Sequence, residues 1–112
     1  MNRIVAVVKP FRLDAVLQAL KACEARGISV QEVRGYGRQK GHAELYTGSE
    51  YSISFLPKVR VECLVPLERT DDAIEAIRRA ARTGRIGDGK IFVTPVDDIV
   101  RIRTGETGED AI

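Results

Sequence analysis

The stretch GRIGDGK, residues 84–90, concentrates the phosphate chemistry of this 112-residue chain. Its spacing, Gly84-x-x-x-x-Gly89-Lys90, is that of a nucleotide-binding P-loop, where backbone N–H groups cradle phosphates and a lysine adds charge. Two details refuse that reading. Ile91 follows Lys90, where a magnesium-binding hydroxyl would stand. The stretch also runs from a helical pattern into a strand pattern, whereas a P-loop runs from strand to helix and offers phosphates a helix N-terminus. Here the nearby helix end is a C-terminus, with the opposite dipole sign. Two readings stay open. One is a glycine-rich turn of purely structural purpose; the other is a turn whose exposed N–H groups, with Lys90, hold phosphates in a different geometry.

Arg101 and Arg103 are two apart and share a face if the chain is extended there. With Lys90 they would make a polyphosphate clamp; alone they are a solvated pair. GYGRQKG (35–41) sets Gly35, Gly37 and Gly41 around Arg38, Gln39 and Lys40, a pattern that lets a ligand approach the backbone. It is not GxGxxG, and no helix pattern follows. The single histidine, His42, reads as an exposed loop residue. Cys23 and Cys63 form no CxxC pattern, so they read as buried free thiols rather than zinc ligands. No Ser–His–Asp set and no carboxylate pair stands out. These residues favour a binding protein over an enzyme.

The elements that must position these residues follow from hydrophobic periodicity. RIVAVVKP (3–10) is β-branched and apolar and predicts a buried strand. Residues 12–27 place Leu13, Val16, Leu17, Leu20 and Cys23 at helical spacing, with Gly27 as C-cap. ISVQEVRGYG (28–37) predicts a second strand. Val30 and Val33 fall out of strict alternation there, which suggests a bulge or twist. KVRVECLVP (58–66) alternates cleanly, with Val59, Val61, Cys63 and Val65 on one face. A second helix starts at DDAIEAIRRAARTG, capped by Thr70 or Asp71, striped by Ile74, Ile77 and Ala81, and stopped at Gly84. KIFVTPV (90–96) is the fourth strand. DIVRIRTG (98–105) predicts a short extended or helical tail, with an acidic, mobile terminus after it.

Strand–helix–strand occurs twice, the α+β plan of a ferredoxin-like βαββαβ sandwich. Two helices cover one sheet face. The first strand is apolar on both faces, and Leu64 and Phe92 add apolar surface, so a homo-oligomer is the economical cover for the second face. The chain from Arg38 to Pro57 is too long and polar for a hairpin turn, which marks it as functional or disordered. Within it, ELYTGSEYS (44–52) exposes two tyrosines. Either Tyr46 and Tyr51 anchor the loop by packing, or at least one of them is there to be touched by something else.

Bulk properties exclude several classes. With 18 basic and 16 acidic residues the net charge is +2, no footprint for nucleic acid or a membrane surface. The longest apolar run, Ile4 to Val8, cannot span a bilayer, and no signal segment opens the chain, so a cytoplasmic protein is expected. An acylphosphatase-type enzyme would need an activated water or nucleophile, and none is visible. An RNA-recognition module would need aromatic residues on the central strands, which carry Val, Ile and Cys.

KPFRLD, GYGRQKGHAELY, GSEYSISFLPKV, RTGRIGDGKIFV and VRIRTGE, in this order and spacing, resemble the PII family of nitrogen-signalling proteins along essentially the whole chain. The resemblance implies one domain over residues 1–112, with a regulatory loop at about 37–57, a nucleotide loop at about 82–90 and a C-terminal loop at about 101–112. It implies a homotrimer with ATP or ADP in the clefts between subunits. Phosphates would meet Gly87, Asp88, Gly89 and Lys90 of one chain and Arg101 and Arg103 of its neighbour, with Arg38 assisting. Gly35, Gly37, Leu64 and Ser29, where many relatives have threonine, would lie toward base and ribose.

The resemblance further implies 2-oxoglutarate binding in the presence of Mg-ATP. The keto acid would chelate Mg²⁺ together with the ATP phosphates and the Gln39 side chain. Lys58 would pair with the distal carboxylate, with the backbone of residues 37–41, including Lys40 and Gly41, and Gly87 nearby. A 2-keto carboxylate is an oxygen chelator of the kind Mg²⁺ prefers. The long loop would then carry the signal to nitrogen-assimilation enzymes, an ammonium transporter or a sensor kinase. Relatives are nucleotidylated at the Tyr51 position or phosphorylated at the Ser49 position. The chain departs from many relatives at Thr47, where an arginine enters the channel in ammonium-channel regulators, and at Ser54, which replaces an acid.

Overall fold

The computed structural model describes residues 1–35 and 56–112. Strand β1 (Asn2–Val8) leads through a 3₁₀ turn (Pro10–Arg12) into helix α1 (Leu13–Ala22) and strand β2 (Arg26–Gly35). Strand β3 (Leu56–Val65) leads through a second 3₁₀ turn (Leu67–Arg69) into helix α2 (Thr70–Ala81) and strand β4 (Lys90–Pro95). The four strands form one antiparallel sheet in the order β2-β3-β1-β4. This is the ferredoxin-like βαββαβ arrangement expected from the periodicity.

Pairing register explains which side chains are buried. Ile4 lies opposite Cys63, Ala6 opposite Val61 and Val8 opposite Val59, so these residues share one face. Alternation along each strand sends them toward the helices. There they meet Val16 and Leu20 of α1 and Ala73, Ile77 and Ala81 of α2, all buried. Cys63 belongs to this core, and burial above all, with Glu62 and Cys23 adding, pushes its thiol up to about 11. Both cysteines are free thiols, Cys63 buried and Cys23 half-buried at the end of α1. The pleat sends Arg3, Val5, Val7, Lys58, Arg60, Glu62, Leu64 and Phe92 to the opposite face, where Phe92 is 52% exposed.

Several local expectations are corrected. Helix α1 ends at Ala22, not at Gly27, because Glu24 takes a positive φ of 61° and turns the chain. Gly27 lies within β2 instead, at φ 56°, where the β2–β3 register shifts between Arg26 and Ser29. The bulge therefore precedes the two valines. Val30 pairs with Val61 and Val33 with Lys58, so they point to opposite faces, which is why they break a one-sided alternation. Neither Thr70 nor Asp71 caps α2. The Thr70 hydroxyl donates to the carbonyl of Pro66 and accepts from the Asn2 side chain at 2.9 Å, tying the helix start to β1.

The tail is neither extended nor a helix through 98–105. Val100 bridges to Thr107, the Arg101 N–H donates to the Glu106 carbonyl at 2.9 Å, and Gly105 and Gly108 take positive φ. The Asp98 carboxylate accepts from the N–H groups of Ile99 and Gly108, which holds both ends of the turn. The last residues form a 3₁₀ turn (Gly108–Ala111) with Ala111 buried, in place of a loose acidic end.

Candidate functional site

Helix α2 ends at Ala81, and after an eight-residue connection (82–89) β4 begins at Lys90. The connection is built around one carboxylate. Oδ2 of Asp88 accepts from the N–H groups of Thr83 and Gly84, each at 2.9 Å. Oδ1 accepts from the Thr83 hydroxyl and pairs with Nζ of Lys9 at 3.1 Å. Lys9 also donates to the Thr83 hydroxyl at 3.0 Å. The Thr83 hydroxyl first, and then the N–H groups and Lys9, hold the Asp88 carboxyl well below the usual carboxylate range against an opposing push from burial. Asp88 is thus the clasp of the turn, fully engaged inside its own chain. The family resemblance puts Asp88 among the phosphate contacts and assigns no role to Lys9 or Thr83. Lys9 lies between β1 and the first 3₁₀ turn, far in sequence from residues 82–89, so only the fold brings it to Asp88 and Thr83.

The glycines follow from that clasp. Gly84, Gly87 and Gly89 take φ of 86°, 96° and 101°. At Gly89 a Cβ would stand 1.7 Å from the carbonyl oxygen of Val7, so the turn lies directly against β1. Lys58, buried on β3, donates from Nζ to the Gly87 carbonyl at 2.6 Å. Burial lowers its pKa, Lys9 lowers it further, and Asp88 pulls it back up. Gly35, the last residue of β2, leaves room for the Lys58 stem, whose Cγ would lie 2.9 Å from a Cβ there. One connected set therefore runs from Gly35 through Lys58 to Gly87, and from Lys9 to Asp88. A pocket of about 320 Å³ opens on the helix side of the turn, lined by Arg82, Gly89, Lys90, Val8, Ile77 and others.

Strand pleating puts Ser29, Gly35, Lys58, Leu64 and Lys90 on the same open face of the sheet. They do not form one cluster. Lys58 and Leu64 are six positions apart along β3, about 20 Å of strand at roughly 3.3 Å per residue, and Ser29, opposite Glu62, lies toward the Leu64 end. A single chain does not bring Arg101 and Arg103 to the glycine turn, because β4 carries the chain from Lys90 to the far end of the sheet, where Pro95 pairs with Asn2. The two arginines also share no extended face, since the tail turns between them and Glu106. Arg101 is held there by Glu106 at 2.9 Å, while Arg103 is exposed. Gly37, Arg38, Gln39, Lys40, Gly41, Ser49 and Tyr51 lie outside the described residues, as do Tyr46, His42, Thr47 and Ser54.

Among the described residues no group of three or more His, Cys, Asp or Glu side chains is arranged to hold a metal, and no helix is long and apolar enough to cross a membrane.

Neutralising the clasp is expected to loosen the turn. In Asp88→Asn the amide keeps one acceptor but turns its NH₂ toward a donor, so amide exchange at Thr83 and Gly84 should quicken by about tenfold, the scale of a lost charge-assisted bond. An unfolded aspartate titrates near about 3.9, and the folded one titrates lower. The contribution of Asp88 is therefore complete above the unfolded value and is lost as pH falls through the folded one. Protection at Thr83 and Gly84 should persist at mildly acidic pH in the wild type; equal protection in Asp88→Asn would remove the clasp from the account.

The family model described as Nitrogen regulatory protein P-II matches residues 1–106. Proteins named Nitrogen regulatory protein P-II from Azospirillum brasilense and Rhizobium meliloti are each 59% identical over all 112 residues of both chains, and that from Rhodobacter capsulatus is 58% identical over the same span. Among solved structures, Arabidopsis thaliana PII bound to citrate superposes with a TM-score of 0.80 at 40% identity, covering 99% of this chain and 91% of that one. With a family model matching residues 1–106 and full-length relatives 58–59% identical, the chain belongs to the P-II family of nitrogen regulatory proteins.

Proposed function

We propose that this P-II protein senses energy and carbon status by binding ATP or ADP at the glycine turn and, with Mg-ATP, 2-oxoglutarate beside it. The observation that carries the reading is the grip of Lys9 and Lys58 on one turn, Lys9 through Asp88 and Lys58 through the Gly87 carbonyl. Lys58 is also the residue packed on Gly35, where β2 leads into residues 36–55. A ligand that reorganises the turn or recruits Lys58 therefore acts on the root of the long connection. Gly87, Gly89 and Lys90 would supply phosphate contacts, with Arg101 and Arg103 coming from a neighbouring subunit of a homotrimer, since the single chain keeps them a sheet-length away. Ser29, Leu64 and Gly35 would face base and ribose along the open sheet face.

A metal cage preformed by protein carboxylates is not required. Mg²⁺ would take its oxygens from ATP, the keto acid and Gln39, which suits an ion that keeps few protein ligands. Citrate in the Arabidopsis relative supports a site that accepts small polycarboxylates. Regulation would pass through residues 37–57 to target proteins in the cytoplasm, with Tyr51 the site of nucleotidylation and Ser49 of phosphorylation. No catalytic step is assigned to the protein.

Calorimetric titration with 2-oxoglutarate tests the reading. Binding should appear with Mg-ATP and be weak or absent with Mg-ADP or without nucleotide. Equal binding without nucleotide would eliminate the metal-bridged site.

A further inference from the structure

We infer that Glu106 sets the affinity of the phosphate site by acting as the resident counter-ion of Arg101. The inference rests on the nucleotide reading above. One terminal nitrogen of the Arg101 guanidinium meets Oε1 of Glu106 at 2.9 Å, and the other donates to the main-chain oxygen of the last residue, Ile112, at 3.1 Å. The Thr104 hydroxyl donates to the same Oε1 at 2.7 Å, and the Arg101 N–H donates to the Glu106 carbonyl. The turn that carries the arginine thus also delivers its carboxylate and fixes it from two sides.

Carboxylate and phosphate are rival oxyanions for a guanidinium fork. An arriving phosphate meets an Arg101 whose charge is already compensated and two of whose five donors are committed. Arg103 is exposed and makes no ion pair among the described residues. The two arginines are therefore unequal: Arg103 offers an uncompensated charge, and Arg101 is released only by phosphate that outcompetes or shares with Glu106. The carboxylate opposes phosphate groups alone and has no means of opposing the nucleoside portion of a ligand.

Glu106→Gln tests this on the full chain. The amide oxygen can still accept from Arg101 and Thr104, so the turn survives while the charge is removed. Calorimetry with ATP, ADP and adenosine should show ATP and ADP binding tightened about two- to fivefold, the range an exposed ion pair supports, and adenosine unchanged. Unchanged or weakened nucleotide binding overturns the inference, because Glu106 would then be neutral or would be positioning Arg101. Equal tightening of adenosine also overturns it, because the effect would be structural. A wild-type protein that binds neither nucleotide overturns the nucleotide reading and this inference with it.

Discussion

Gly89→Ala should unseat the glycine turn, lower stability and weaken nucleotide binding at least tenfold. Two independent costs meet at this position. The backbone sits at φ 101°, a region that L side chains rarely adopt, which costs about 1–3 kcal/mol by itself. The new Cβ would also stand 1.7 Å from the Val7 carbonyl oxygen and 2.8 Å from its carbon. That neighbour is backbone in the sheet interior, with Val7 paired to Arg60 on one side and Lys90 on the other. It cannot rotate away as a side chain would. The turn must lift from β1, and its lift strains the Asp88 contacts to Thr83, Gly84 and Lys9 together. Chemical denaturation should show the midpoint falling, and calorimetry with ATP should show at least a tenfold loss. Gly84→Ala is the control. A Cβ there meets nothing within 4 Å, so only its φ of 86° is strained. Equal effects in the two variants would show that contact with Val7 is not what seats the turn.

The core was legible because periodicity and burial are the same fact seen twice. Val59, Val61, Cys63 and Val65 alternate in the sequence and are the residues buried under the helices. What periodicity could not show was how each element stops. Gly27 looked like a helix cap, yet Glu24 makes that turn and Gly27 serves a bulge in which Leu64 comes within 3.5 Å of its Cβ position. Thr70 looked like an N-cap, but Asn2, sixty-eight residues away in sequence, takes its hydroxyl. Such choices depend on partners brought by the fold, which local propensity does not contain.

The site divides in the same way. Glycine spacing marked the turn, and chain resemblance marked Lys58, Gly87 and Lys90. Lys9 stayed invisible because its partner Asp88 lies on the other side of both helices in the sequence, and nothing near Lys9 signals a carboxylate. Arg101 was visible as a cation but not as a paired one. The Glu106 that compensates it sits five residues on, a separation that makes no contact in an extended strand and becomes a contact only when Gly105 turns the chain.

Lys58→Met should separate the two ligands of the proposed site. Methionine keeps an unbranched stem to fill the space beside Gly35 and removes only the ammonium. The lost bond to the Gly87 carbonyl is offset by the relief of a buried cation, so stability should move by no more than about 1 kcal/mol. The sign of the pKa shift supports this. Burial and Lys9 lower the Lys58 pKa, so its charged form is held at a cost in the folded protein. Binding of 2-oxoglutarate in Mg-ATP should fall by about ten- to a hundredfold, since a charge-assisted bond to a carboxylate contributes roughly 1.5–3 kcal/mol. ATP alone should bind within a fewfold of wild type, because Asp88 and Lys9 still clasp the turn. Calorimetry of both ligands on the same variant decides the matter. A parallel loss of ATP would make Lys58 a support of the nucleotide turn, and an unchanged keto-acid affinity would remove it from the carboxylate site.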